Sequence, residues 1–579
     1  MFLKLYVMLR NILRLRHFSL LAIVLTGITF LSESCNKLLD EKPLSFLTPV
    51  NAYASEAGVE QGINAIYSRV AYHYYSFSDF AVMMWSTLGS DEGYTGEDPS
   101  FTVYLNSYKL MTPTSRWVVA TWNAGYEIIN MSNVLIAQVE KMDSSLFENG
   151  ENGKDEYIAE ARFFRAWSYR YLVSTYGPVP LLTKPVQTAK VDFKRDSVQT
   201  IYKQMEDDYK YAVAHLPIPG REAAPGRLTQ GPAWHYLGEA FLEMHEPDSA
   251  IWALDHVVND YNYHLMTQRF GTKLGHDVFG DGDAYYDLFT NGNQNLPENT
   301  EAMWVIQVTP FIQGGGIVES AYIWGPRYFD VGPTPDGKKP FLGTMYNGRY
   351  TGYSDTLSRG TAECRGTNYI YYDIWNNDLG DTRHANYNML KHVYCDNPAS
   401  IYYRKPMDEW IHDYGPSRPT MLDTTKIIWP AIHTKFLDPL NYPDLPALGG
   451  AGHTYKDWYA LRFAETLLLR AEAYVDINRL DLAAADINKV RERSHAAPVS
   501  PADVNLDYIL DERARELYGE EWRSITLRRM GKLIERVQKY NDNPVFPGAQ
   551  IQPYNIHWPI PQQEIDLNSG ANFPQNPGY

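Results

Sequence analysis

The residues best spaced for bond-making chemistry are Glu512 and Glu516, two carboxylates one helical turn apart in Glu512-Arg513-Ala514-Arg515-Glu516. A glycoside hydrolase needs such a pair about 5 to 10 Å apart with different pKa values. Arg513, Arg515 and Arg523 crowd the same stretch, so the spacing favours an ion-pair network over an acid and a base. His245-Glu246 continues as Pro247-Asp248-Ser249, with no second His to complete a zinc motif. Gly332 to Lys339 imitates a phosphate loop, but Lys339 stands where magnesium needs Ser or Thr, and Pro333 and Pro335 remove backbone donors. No Gly-x-Ser-x-Gly elbow occurs. Asp277, Asp281, Asp283 and Asp287 offer hard oxygen ligands without the order of a calcium loop. Cys35, Cys364 and Cys395 have no paired spacing for zinc; the last two are either a disulfide or two buried thiols. No catalytic residue, metal or cofactor is expected.

What remains is binding chemistry. The chain holds 44 Tyr and 14 Trp, and aromatic residues make up 14% of it. Such rings pair an apolar face with a polar handle and suit a wet, ring-lined surface. Two segments concentrate them. Trp85 to Tyr94 brings Trp85, Asp91 and Tyr94 into a glycine-punctuated loop, a setting that exposes side chains. Gly314 to Tyr328 brings Tyr322, Trp324, Arg327 and Tyr328, of which Tyr322 and Trp324 share a face if the run is extended. These seven are the candidate ligand-binding residues; core packing competes for each ring, and a salt bridge or loop cap for Asp91 and Arg327.

The rest of the composition narrows the setting. Apolar residues are 44% and charged residues 21%, which is ordinary for a folded protein. A net charge of −17 repels phosphate backbones, so nucleic acid is excluded as a partner. Lys4, Arg10, Arg14 and Arg16 precede an apolar run from Phe18 to Leu31 that ends in Ser32-Glu33-Ser34-Cys35. Residues 1–34 read as a secretory signal, too short to span a bilayer. Cleavage before Cys35 removes four cations and one carboxylate, taking the net charge from −17 to −20.

The elements that must position these residues announce themselves as repeats. Trp234, Leu237, Gly238, Phe241, Ala250, Leu254 and Val257 have the spacing of a tetratricopeptide helix pair. Leu467, Ala471, Tyr474, Ala483, Ile487 and Val490 repeat it, with Arg470 breaking the leucine position. The two units lie about 230 residues apart, so another body is inserted between them. Further helices are predicted over 51–72, 115–140, 156–174 and 197–215, and a strand over 302–308. The fold class is mainly α: a scaffold of helical pairs with a long irregular lobe of loops and short strands. The divisions are the signal at 1–34, a helical part at 35–264, the inserted lobe at 265–457, and a second helical part at 458–579.

Several stretches together resemble the SusD/RagB family of outer-membrane nutrient-binding lipoproteins. Ala159-Glu160-Ala161-Arg162-Phe163-Phe164-Arg165-Ala166-Trp167, running on to Tyr176-Gly177-Pro178-Val179-Pro180-Leu181, is similar to the family's long helix and its exit. Glu512 to Leu517, with Glu520, Arg523, Leu527 and Arg528, looks like its late charged helix, Thr526 departing from the Asp common there. Trp558-Pro559-Ile560-Pro561 and Gln575-Asn576-Pro577-Gly578-Tyr579 match its ending, and Cys35-Asn36-Lys37-Leu38-Leu39-Asp40 its lipidated start.

The resemblance implies a tetratricopeptide scaffold that contacts a SusC-like TonB-dependent transporter, and a variable face that captures oligosaccharide without cutting it. It implies lipid on Cys35, an outer-membrane anchor and exposure at the cell surface. Sugars present C–H faces and hydroxyls, which is the chemistry of the two ring segments. Two other readings stand beside it: a carbohydrate-active enzyme of the envelope, and a scaffold or peptide-binding member of the same family.

Overall fold

The helix Glu56–Val70 (α1) shows how local sequence sets the architecture. Ser55 caps it by accepting from the Gly58 amide at 3.3 Å, and Val59, Ile63, Ile66 and Val70 bury one stripe at helical spacing. A computed structural model describes residues 52–75, 82–96, 103–275, 277–378, 380–417, 431–442 and 453–579, together with Met8. The predicted signal apart from Met8, and Cys35, lie outside the described residues. Residues 55–579 form one unit.

A short helix, Val82–Thr87 (α2), and a two-residue strand, Gly93–Tyr94 (β1), follow α1. The helices Arg116–Val139 (α3), Glu151–Tyr176 (α4) and Val198–His215 (α5) pack side by side in sequence order. From Ile158 onward α4 is buried nearly all round, and its buried charges Glu160, Arg165 and Arg170 are each ion-paired, while the half-buried Arg162 lies over the Tyr211 ring at 4.1 Å. Arg165 meets Asp208 of α5 at 2.6 Å, Arg170 meets Glu239 at 2.7 Å, and Glu160 meets Arg227 at 2.5 Å. The helix stops at Gly177, whose φ of +70° suits glycine.

Gln230–Glu243 (α6) and Pro247–Asn259 (α7) are the first tetratricopeptide pair. Gly238 lets them close up: a Cβ there would lie 2.7 Å from Leu254. The chain then enters the irregular lobe. Its strand Ala302–Ile306 (β2) is followed by the one-turn helix Ser320–Trp324 (α8), the hairpin of Met345–Tyr346 (β3) with Arg349–Tyr350 (β4), and Arg365–Gly366 (β5), which pairs with β1. Met389–Leu390 (β6) pairs with Ile432–His433 (β7). The lobe closes where Trp458–Arg462 (β8) runs antiparallel to β2, Ala302 opposite Arg462 and Ile306 opposite Trp458.

The ribbon returns the chain to the scaffold. Phe463–Asp476 (α9) and Leu480–Arg493 (α10) form the second helical pair, and α9 packs on α7. Units far apart in sequence are therefore neighbours in space, and the lobe is looped out between them. Arg470, at the leucine position, explains its own exception. It forks onto Asp486 of α10 at 2.7 and 2.8 Å and reaches Asp255 of α7 at 2.7 Å, joining the two repeats.

Leu506–Leu517 (α11), Arg523–Arg529 (α12) and Leu533–Tyr540 (α13) complete the helical part. Glu512 and Glu516 sit in a buried network. Arg383, Arg462, Arg491, Arg493, Arg515 and Lys435 face Glu301, Asp378, Asp381, Glu512, Glu516 and Glu520 at 2.5 to 3.2 Å. Six cations meet six carboxylates, so the network is neutral as a whole, as burial at this depth requires. Arg383, Arg515 and Arg491 hold Glu512 down to about 2 against the cost of its desolvation. A carboxylate so held is no general acid. Thr526 donates to Glu521 at 3.1 Å, a packing role within the same helical part.

Candidate functional site

Five of the seven candidate binding residues lie in the core. Trp85 continues α2 rather than opening a loop; it is 1% exposed and packs 5.0 Å from Trp558. Asp91 is fully buried between Arg523 and Arg536. Tyr94 sits in β1 opposite Arg365, which reaches its hydroxyl at 3.3 Å. Trp324 stacks on Phe436 at 4.7 Å with 13° between planes. Tyr328 is buried with its hydroxyl donating to the Ser358 carbonyl at 2.8 Å. None of these rings offers a face to a ligand.

The reason is local geometry. The turn Gly89 to Gly93 closes on itself, with the Gly89 amide bonded to the Gly93 carbonyl at 2.9 Å, and lies under Leu105 and Tyr108. Its glycines serve close packing, not exposure. Residues 320–324 are helical, the Ile323 amide bonding to the Glu319 carbonyl at 2.8 Å, so Tyr322 and Trp324 do not share a face. Arg327 pairs with Asp330 at 3.0 Å. Tyr322 alone of the candidate rings is half-buried, facing outward from α8.

Around Tyr322 the lobe assembles a strip of rings. Phe311 and Tyr455 are 5.4 Å apart, Tyr455 and His453 6.4 Å, and His453 and Tyr322 6.1 Å. The Arg359 guanidinium lies 5.9 Å from the Tyr322 ring and 5.7 Å from that of Tyr353, which meets Phe329 at 4.7 Å. Each of these side chains is half-buried or exposed.

Three segments hold the strip. The turn Thr309 to Gly315, closed by an amide–carbonyl bond of 2.7 Å, lifts Phe311 to 73% exposure at a φ of +61°, a strained value for a large ring. Val318 bonds to Thr454 at 3.0 Å, and strand-like alternation there buries Thr454 while His453 and Tyr455 face outward. Thr361 donates twice to the Tyr322 carbonyl, at 2.8 and 2.9 Å, which seats the loop bearing Arg359 on α8. That seat requires Gly325 and Gly360 to cross without side chains, since a Cβ on Gly360 would fall 2.1 Å from Gly325. Beneath the strip, Glu319 meets His453 at 2.9 Å and fixes its ring. Successive rings are tilted, by 40° from Phe311 to Tyr455, 87° from Tyr455 to His453 and 41° from His453 to Tyr322, so the strip offers an elongated ligand alternating ring faces and edges.

Phe311, Phe329, Tyr353, Arg359, His453 and Tyr455 were not legible as one site. The alternation His453-x-Tyr455 ahead of β8 and an apolar pair, Phe311-Ile312, before three glycines were the available signals.

The acidic cluster is an arginine cradle. Arg269 binds Asp277 at 2.6 Å and Asp287 at 2.7 Å, and Asp283 caps a short helix through the Tyr286 amide. Cys364 and Cys395 are separate buried thiols.

Comparison with known proteins places this architecture. The model of the SusD family matches residues 328–579, and one described as starch-binding and associating with the outer membrane matches residues 37–237. A SusD-like protein of Formosa agariphila is 24% identical over 562 residues, 94% of this chain and 96% of the relative. One of Bacteroides ovatus is 25% identical over 290 residues, 49% of this chain and 50% of its own length. Among solved structures, a laminarin-binding SusD-like protein superposes with a TM-score of 0.65 at 23% identity, covering 91% of this chain and all of that one. Surface glycan-binding protein A from Bacteroides thetaiotaomicron in complex with laminarihexaose superposes with 0.63 at 18% identity, covering 90% of this chain and 99% of that one. The chain, with its paired tetratricopeptide scaffold and family models matched over residues 37–237 and 328–579, belongs to the SusD/RagB family.

Proposed function

We propose that this protein is a glycan-binding lipoprotein of the outer membrane, anchored through Cys35 and exposed at the cell surface. It captures a polysaccharide on the ring strip and delivers it to a SusC-like TonB-dependent transporter, without making or breaking a bond. The observation that carries this reading is the row of outward rings from Phe311 through Tyr455, His453 and Tyr322 to Tyr353. Ring-to-ring steps of 5.4 to 6.4 Å suit successive sugars of a chain rather than one small molecule. Two structural neighbours are named for binding laminarin or laminarihexaose, which supports a glycan as the ligand class. The non-catalytic reading is supported by the fate of Glu512 and Glu516, locked in ion pairs away from the strip.

Affinity electrophoresis of the full chain across plant, microbial and host polysaccharides tests it. Retardation by one class, without release of shorter products, is expected. Release of products would instead favour an envelope enzyme, and retention of the transporter partner with no glycan affinity a scaffold.

A further inference from the structure

Arg359 is the exception among the charged groups of the ring strip. His453 has the Glu319 carboxylate at 2.9 Å, and nearby Arg327 is paired with Asp330. Among the described residues Arg359 has only ring partners, Tyr322 at 5.9 Å and Tyr353 at 5.7 Å, and its Nε is buried with no hydrogen-bond acceptor. Other cations of the lobe fall into two groups: Arg383, Lys435 and Lys456 have oxygen partners within 3.2 Å, whereas Arg404 and Lys405 lie over the rings of Tyr403 and Tyr402 at 5.2 and 5.5 Å, outside the strip. Rings occupy the faces of a guanidinium, while its donors lie in its plane. With its Nε sealed inward, the half-buried Arg359 presents the paired donors of its two Nη groups, with no protein acceptor among the described residues, in the middle of a surface built for stacking.

A planar fork of this kind matches the paired oxygens of a carboxylate or a sulfate. We propose that the strip is selective for an anionic glycan, one carrying uronate carboxylates or sulfate esters, and that Arg359 receives the anionic group between the rings of Tyr322 and Tyr353. This rests on the reading of the strip as the glycan site. The chain's net charge of −17 does not oppose it at close range. Fields from exposed charges beyond roughly 8 Å are screened at physiological salt, so the cation in contact decides. The acidic remainder of the surface also disfavours loose association of anionic polymers elsewhere, which confines them to this point.

The test uses the full chain and matched polymer pairs: polygalacturonate and alginate against their carboxyl-reduced products, and carrageenan against its desulfated product, with laminarin as a neutral reference. At least one anionic polymer should bind about tenfold more tightly than its neutral counterpart, the scale of a charge-assisted contact. Arg359→Gln should level that ratio, and Arg359→Lys should retain part of it. The carboxylate and sulfate pairs identify the source of the charge. Equal affinity for both members of every pair, binding of laminarin alone, or a preference that survives in Arg359→Gln overturns the proposal while leaving the glycan site standing. Failure of every polymer to bind overturns the reading of the strip itself and the proposal with it. Thermal unfolding of each variant shows that a lost ratio is not a lost fold.

Discussion

Arg523 grips Asp91 with two guanidinium nitrogens, Nε to Oδ1 at 2.8 Å and Nη2 to Oδ2 at 2.7 Å, across 432 residues of chain. Arg536 adds a third bond to Asp91 at 2.7 Å. Both partners are buried, so this clamp fastens the segment after α2 to the late helices α12 and α13. Its removal leaves two guanidinium groups without this carboxylate. Asp91→Ala should lose on the order of 2 to 3 kcal/mol of unfolding free energy, read from the denaturant midpoint, because three charge-assisted bonds in the core are lost while Arg523 keeps Glu521 at 2.9 Å and Arg536 keeps Asp511 at 2.7 Å. Wherever the variant still folds, glycan affinity should be unchanged, since Asp91 does not reach the surface.

The neighbouring Glu92 gives the fold a pH dependence. It is fully buried, and desolvation raises its pKa to about 8 although Arg523 lies 3.2 Å away, because Asp91 and Glu521 compete for that cation. Burial and geometry conflict here; the carboxyl makes no hydrogen bond, and burial prevails. Since the folded pKa stands above the unfolded value of 4.5, the folded state holds the proton longer and stability falls as pH rises from about 4.5 to about 8. Glu92→Gln should remove this slope. Denaturation across pH should show the variant gaining on the parent by on the order of 1 kcal/mol or more at pH 8, and losing that advantage at pH 4.5. Parallel profiles for the two proteins would exclude this account.

Arg470 tests how repeat spacing should be interpreted. Matching the tetratricopeptide pattern by Arg470→Leu ought to stabilise a free-standing helix pair, but here the residue bridges α9, α10 and α7. The substitution strands Asp486, which is buried and keeps only Lys489 at 2.9 Å. A loss of about 1 to 3 kcal/mol in chemical denaturation is expected.

The scaffold was legible because its information is local. Leu237, Gly238, Ala250 and Leu254 bury one face at helical period, and the predicted helix at 115–140 differs from α3 by one residue at each end, that at 197–215 from α5 by one at its start. The stacking of α9 on α7 was not, because it depends on β2 and β8 pairing across the whole lobe. The same distinction governs the site. Gly89 and Gly93 looked like markers of an exposed loop, yet glycine serves close packing as readily as turning, and only the positions of Leu105 and Tyr108 over Gly89 and of Thr87 and Cys364 against Gly93 decide between the two. Phe311, Tyr322, Arg359 and Tyr455 come from separate segments joined by single backbone bonds such as Val318 to Thr454, and no periodicity records such bonds.

Anchoring is checked by labelling. Labelled palmitate should appear on the wild-type protein and vanish in Cys35→Ala; its persistence in the variant would place the lipid elsewhere, and its absence from both would remove the anchor from the proposed function.

The rings themselves separate binding from folding. Tyr455→Ala and Tyr322→Ala each remove a stacking face at the surface, and each should weaken glycan binding by on the order of 1 kcal/mol, about fivefold, in calorimetry or affinity electrophoresis. Their unfolding transitions should move little, because neither ring is fully buried. Trp85→Ala and Trp324→Ala should behave in the opposite way. Each empties a buried site, against Trp558 and Phe436 respectively, and should cost about 3 to 5 kcal/mol of stability. In whatever fraction remains folded, affinity should stay within about twofold of the parent, because a ring sealed in the core meets no ligand. A surface-ring variant that binds normally, or a core-ring variant that folds normally and loses affinity, would move the site from the row around Tyr322 back to the buried segments.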